Sequence, residues 1–268
     1  MELDDAYDNL GHIPGAMEYI AKWEDSAAAF REQAQFSGQS QLDQSYGPTL
    51  RQSYDVFFPE RTAVGLCIFV HGGYWRRFDR RVFSHVAAGP IAQGWVTALP
   101  SYDLCPNVRI SEITRQISAM IHVAAEQFAG PIALAGHSAG GHLVARMLDP
   151  GSLAEDVATR LRSVTAISPV SDLRPLLRTS MNEDFRLTQD EAASESPVLM
   201  SKRRNVPVRV WVGADERPAF LDQARWLSEA WTCPLRIAGG KHHLDVIDAL
   251  VDPESQMIAD ILGQGVSR

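Results

Sequence analysis

Ser138 stands in the run Pro131-Ile-Ala-Leu-Ala-Gly-His-Ser-Ala-Gly-Gly-His-Leu-Val-Ala-Arg146, where Gly136-His137-Ser138-Ala139-Gly140 has the spacing G-x-S-x-G. A serine hydroxyl attacks poorly until a base takes its proton, so a reactive serine needs an exposed Oγ and a histidine within reach. Ile132 to Ala135 reads as a buried parallel strand, and Leu143, Val144 and Met147 continue at helical spacing. A strand, a sharp turn and a helix place the serine at a strained turn, with Oγ projecting above the sheet. The chain on either side must pass very close, so positions 136 and 140 require residues without side chains, and Gly141 adds a third. A glycine-rich turn of this kind also suits a phosphate loop, but no Lys-Ser/Thr pair follows it.

A second stretch, Phe69-Val-His71-Gly72-Gly73-Tyr74-Trp75, directly follows a buried apolar run. Two adjacent glycines after a strand leave backbone N–H groups free to point at a ligand. Acyl transfer needs two such donors where the tetrahedral oxyanion forms. Ala139, just after the nucleophile, supplies another N–H. His71 is expected to brace the loop rather than act as the base. In strand–turn–helix enzymes of this chain order, the acid and then the histidine follow the serine. Gly213-Ala214-Asp215-Glu216-Arg217-Pro218 offers two competing carboxylates, and Gly239-Gly240-Lys241-His242-His243-Leu244-Asp245 offers two competing histidines. His137 and His142 flank Ser138 too closely to reach its Oγ. His12, His85 and His122 are expected to be surface or satisfied core residues.

The elements that must carry these groups are readable in outline. Ala16 to Gln35 has a helical pattern, with Trp23, Ala27 and Phe30 on one face. Residues 1–15 look irregular, and Gln33 to Gln44, rich in Gln and Ser, reads as a loop. Strands are predicted at Ser53–Phe58, Val64–Val70, Trp95–Leu99, the Ile132 run, Val164–Ile167, Val208–Val212 and Leu235–Ala238. Helices are predicted at Arg80–Gln93, Ile110–Phe128, Ala219–Ala230 and Leu244–Leu250. Strands alternating with helices give the fold class α/β, a mostly parallel sheet covered on both faces, within one domain spanning 1–268. An N-terminal helical segment occupies about 1–45. Residues 171–205 break the alternation with Pro175, Pro197, many charges and short apolar runs, which is the pattern of a lid-like insertion.

Composition narrows the function classes. With 45% hydrophobic residues in 268, the chain can bury a full core, and its net charge of −8 argues against nucleic acid as a partner. Cys67, Cys105 and Cys233 are scattered and odd in number, with no zinc spacing, which fits a reducing cytoplasm. The acidic start, Met1-Glu-Leu-Asp-Asp, does not read as a signal peptide, and no run approaches the ~18 apolar residues of a membrane span.

Taken together, the Ser138 turn, the His71-Gly72-Gly73 loop and a C-terminal histidine resemble the α/β-hydrolase superfamily. The His-Gly-Gly-Tyr-Trp form resembles its kynurenine formamidase (arylformamidase) branch, related to the hormone-sensitive-lipase-like esterases. Ser45-Tyr-Gly, Ser101-Tyr-Asp-Leu-Cys-Pro106, Ser168-Pro-Val-Ser-Asp-Leu173 and His243-Leu-Asp-Val-Ile extend the resemblance from about Tyr46 to Leu250. The resemblance implies Ser138 as nucleophile, His243 as base and Glu216 as acid, with Asp215 the rival because the family more often carries Asp. It implies an oxyanion hole from Gly72, Gly73 and Ala139, and no metal or organic cofactor. The implied reaction is hydrolysis of N-formyl-L-kynurenine to L-kynurenine and formate, a step of tryptophan catabolism. A general carboxylesterase on small acyl or aryl esters is the alternative, and a non-catalytic ligand-binding protein of the same fold is the third. Tyr74, Trp75 and Tyr102 are expected to offer aromatic surface to a substrate ring, and Arg76 or Arg77 to hold a substrate carboxylate. The expected partner is a small aromatic formamide or ester; a homodimer is an open expectation.

Overall fold

The structure is a computed structural model that describes residues 1–264. Eight strands form one sheet: β1 (Ser40–Ser45), β2 (Ser53–Phe57), β3 (Leu66–Val70), β4 (Val96–Pro100), β5 (Ile132–His137), β6 (Leu161–Ile167), β7 (Val208–Gly213) and β8 (Leu235–Ala238). Their order is β1-β2-β4-β3-β5-β6-β7-β8; β1 and β2 run antiparallel, and the pairs from β4 through β8 are parallel. The five major helices are α1 (Ala16–Phe36), α2 (Ile110–Gln127), α3 (Ala139–Arg146), α4 (Pro218–Trp231) and α5 (Gln256–Ile261).

Alternation along the central strands divides the core between the two faces of the sheet. Leu66, Ile68, Val70, Ile132 and Leu134 share one apolar cluster with Ile113, Ile117 and Ile121 of α2 and Leu143 of α3. Cys67, Phe69, Ala133 and Ala135 face the other way, joining Ile20 and Trp23 of α1 and Ile258 and Ile261 of α5. Both faces are thus covered, which is why β3, β4 and β5 are fully buried and read as continuous apolar runs.

Three expectations need correction. Gln33 to Gln44 is not a loop: α1 runs on to Phe36, and Ser40–Ser45 is the edge strand β1. Its burial alternates, and its polar composition is what an edge strand needs to resist pairing with another chain. Arg80–Gln93 is not one helix but two 3-10 turns, Arg80–Val82 and Ser84–Ala87, followed by the short helix Ala88–Ala92. Gly89 packs so tightly there that a Cβ would lie 2.3 Å from the Leu250 carbonyl oxygen. Leu244–Leu250 likewise folds as a 3-10 helix, Asp245–Val251. Between β6 and β7 the chain forms four short helical turns and no strand.

Candidate active site

Parallel strands end at one edge of the sheet, and ligands of such sheets bind there, where the strand order reverses. Here β3 and β5 are neighbours at that reversal. The His71-Gly72-Gly73 loop leaves β3, and Ser138 leaves β5. Glu216 follows β7 and His243 follows β8, so the ends of four parallel strands deliver four site elements to one edge.

Ser138 has φ 57° and ψ −116°, a strained conformation for a residue with a side chain. The turn is paid for by close packing: a Cβ on Gly140 would lie 1.9 Å from the Val70 carbonyl oxygen, and one on Gly136 2.2 Å from that of Gly140. Gly72 presses against the nucleophile itself, where a Cβ would sit 2.9 Å from that of Ser138. Ala139 is the first residue of α3, and the first N–H groups of a helix have no intrahelical acceptor.

The base and acid meet through one hydrogen bond. His243 Nδ1 donates to Glu216 Oε2 at 2.6 Å, with both side chains buried. An ionised carboxylate only accepts, so the ring proton sits on Nδ1 and Nε2 carries the free lone pair. The second oxygen of Glu216 accepts from Gly213 N at 2.8 Å and from Ser168 Oγ, which fixes the carboxylate in place. The His243 ring lies 4.5 Å from Phe220 and 4.7 Å from His137, centroid to centroid. His137 Nε2 donates to the His243 carbonyl at 2.9 Å, and burial holds its ring neutral, well below the ordinary histidine value. Asp215 is exposed, its backbone N–H bonded to the Lys241 carbonyl. His242 Nδ1 accepts from Leu244 N at 3.1 Å, which turns that ring away from the nucleophile's side of the loop.

The loop after β3 is braced as its sequence suggested. His71 Nδ1 donates to the Gly72 carbonyl at 2.7 Å, and its ring stacks 4.4 Å from Tyr102. Burial pushes the His71 imidazole down to about 4, so it carries no charge beside the site. Tyr102 donates to the His71 carbonyl at 2.9 Å. Tyr102 and Trp75 are both completely buried, and neither lines the cavity over Ser138, which corrects the expectation that they meet a substrate. Trp75 instead sits between His142 and Phe185, at 5.1 and 5.7 Å, beneath the loop.

Ser138, His243, Gly72, Gly73 and Tyr74 line one cavity of about 420 Å³. Arg76 and Arg77 line it too; Arg76 is bound to Asp184 at 2.6 Å, whereas Arg77 makes no ion pair among the described residues. Ser180 and Met181 reach it from the β6–β7 segment. The sequence reading missed the opposite wall, Asp4 to Leu10 apart from Ala6, an N-terminal strap of one helical turn and a 3-10 start. The one cue in the sequence is the aromatic Tyr7 set among Asp4, Asp5 and Asp8, and the structure buries it.

The model of the alpha/beta hydrolase family matches residues 67–260. Kynurenine formamidase of Salmo salar is 27% identical over 87% of this chain and 85% of its own length. The Danio rerio kynurenine formamidase is 27% identical over 86% and 83%. Among solved structures, a Silicibacter sp. TM1040 protein provisionally described as a thioesterase is 57% identical, with a TM-score of 0.96 over 98% of this chain and 99% of its own. Esterase 2 of Thermogutta terrifontis shares the fold at 16% identity, with a TM-score of 0.66 over 85% of this chain and 97% of its own. The chain belongs to the alpha/beta hydrolase family and is a hydrolase. The curated relatives it resembles at 25–27% identity are kynurenine formamidases. No helix among the described residues is long and apolar enough to cross a membrane.

Proposed function

We propose that the protein hydrolyses the formamide of N-formyl-L-kynurenine to L-kynurenine and formate, in a reducing cytoplasm compatible with its three unpaired cysteines. Ser138 and His243 lining one cavity with Gly72 and Gly73, with Glu216 bonded to His243 Nδ1, carry the serine-hydrolase part of this reading, and the kynurenine formamidases among its relatives support the formamide part. His243 Nε2 takes the Ser138 proton as Oγ bonds to the formyl carbon. The N–H groups of Gly72, Gly73 and Ala139 receive the oxyanion. Collapse breaks the C–N bond, and the imidazolium gives its proton to the departing arylamine. Water, deprotonated by His243, then attacks the formyl ester; formate leaves and Ser138 regains its proton. Glu216 holds the ring in its tautomer and stabilises the transient imidazolium.

The same groups serve esters, so fold and triad leave the acyl donor open. The Silicibacter relative adds a thioester to the alternatives. Comparing kcat/KM on N-formyl-L-kynurenine, p-nitrophenyl acetate and an acyl thioester tests the reading. The formamide should lead; faster turnover of the acetate ester or of the thioester would replace it. Ser138→Ala should fold and lose turnover by on the order of 10⁴ or more. Activity within tenfold of the unaltered protein would remove the serine mechanism altogether.

A further inference from the structure

Asn9 lies on the N-terminal strap at 6% exposure, and neither Nδ2 nor Oδ1 has a hydrogen-bond partner among the described residues. A buried amide left unpaired bears its full desolvation cost, so such groups are rare unless something else pairs them. Asn9 lines the cavity that holds Ser138 and His243. It also lines a smaller one of about 220 Å³ behind the His243–Glu216 pair.

The strap around Asn9 is pinned. Asp4 Oδ1 accepts from Ser180 N at 2.6 Å, and Asp5 pairs with Arg217 at 2.6 Å. The Tyr7 hydroxyl accepts from Gln223 Nε2 at 2.9 Å, and the Tyr7 carbonyl from the Tyr74 hydroxyl at 2.7 Å. Both flanks are therefore committed to protein partners, while the Asn9 amide is not. Two charged residues lining the same cavity, Asp8 and Arg77, make no ion pair among the described residues. An amide offers two donors and an acceptor oxygen, so it can bond to an ammonium and to a carboxylate alike.

We propose that Asn9 is a specificity-determining residue whose amide binds the amino-acid end of the leaving amine, with Asp8 and Arg77 serving its ammonium and carboxylate. This rests on the formamide reading above. It makes the strap the wall that recognises the leaving group, while the Gly72-Gly73 loop serves the acyl group.

The test uses the full chain and two formamides, N-formyl-L-kynurenine and formanilide, which share the scissile bond and differ in the amino-acid arm. Asn9→Leu should lower the ratio of kcat/KM on the first to that on the second at least about tenfold. Inhibition of p-nitrophenyl acetate hydrolysis supplies a binding readout. The Ki of L-kynurenine should rise by a similar factor relative to that of 2-aminoacetophenone, which lacks the amino-acid arm. Asn9→Ser, a smaller polar change, should give an intermediate loss and serves if the leucine variant does not fold. Equal losses on both formamides, or unchanged ratios, would overturn the assignment, as would failure of L-kynurenine to inhibit the unaltered protein. If N-formyl-L-kynurenine is not cleaved while the L-kynurenine Ki still responds to Asn9, the formamide reading fails and the assignment stands.

Discussion

Two neighbouring pairs of residues, Asp215 with Glu216 and His242 with His243, decide which side chains can do chemistry. Adjacent residues in an extended turn point in different directions, so one member of each pair is turned toward Ser138. Glu216 is buried on His243 Nδ1, and Asp215 is exposed. His242 accepts backbone N–H groups and packs edge-on, 4.7 Å from Tyr19. Glu216→Gln and His243→Ala should each lower kcat by about 10³ or more. Asp215→Asn and His242→Ala should cost much less. Steady-state kinetics on the best substrate checks this, and an Asp215→Asn loss as large as that of Glu216→Gln would reverse the acid. Motif spacing alone narrowed the acid to two candidates; the choice depends on where Gly213 N and Ser168 Oγ hold a carboxylate, and Ser168 lies 48 positions away in sequence.

The site's elements depend on glycines whose roles differ by packing. Gly140→Ala would drive a Cβ into the Val70 carbonyl, at the crossing of α3 and β3. It should destabilise the fold by about 3 kcal/mol or more in urea denaturation, or prevent folding. Gly239, in the turn after β8, has nothing within 4 Å of an added Cβ and needs no positive φ. Gly239→Ala should therefore be neutral, or stabilising by up to about 1 kcal/mol, because it restricts the unfolded chain. A loss at Gly239 as large as at Gly140 would show that sequence context rather than close approach sets these costs. The buried strands were readable because apolar runs of that length must be covered on both faces. The edge strand β1 was not, since its Gln and Ser residues look like a loop until β2 pairs with them. The Arg80 region carries Gly89-Pro90 in its middle, a break visible along the chain, but the contact that holds Gly89 against the Leu250 carbonyl is not. Met257, Ile258, Ile261 and Leu262 do show helical spacing, so α5 was within reach of the sequence.

Burial of histidine couples the whole molecule to pH. His71 is pushed down to about 4 and His142 to about 3, with burial the leading cause, and His137 falls well below its ordinary value. In the unfolded chain these rings titrate near 6.5. Below that value the unfolded state takes up protons that the native state refuses. Their contribution to stability is complete above about pH 6.5 and is lost as pH falls toward 4. Urea denaturation should therefore show stability decreasing by more than about 2 kcal/mol from pH 7 to pH 5. A flat profile across that range would mean that the three rings protonate without unfolding.

The sequence by itself determined the α/β class, the strained serine turn, the glycine loop and the short neighbourhoods from which acid and base are drawn. Each of these is a local matter, set by a period of apolar residues or by turns that only glycine can make. Tertiary structure alone decided that residues 4–10 wall the cavity and that Trp75 and Tyr102 lie behind the loop. It also selected Glu216 over Asp215 as the carboxylate on the imidazole. Those outcomes turn on which side of a turn a side chain takes and on what packs there from 27 to 216 residues away. Only the closed sheet brings such partners together.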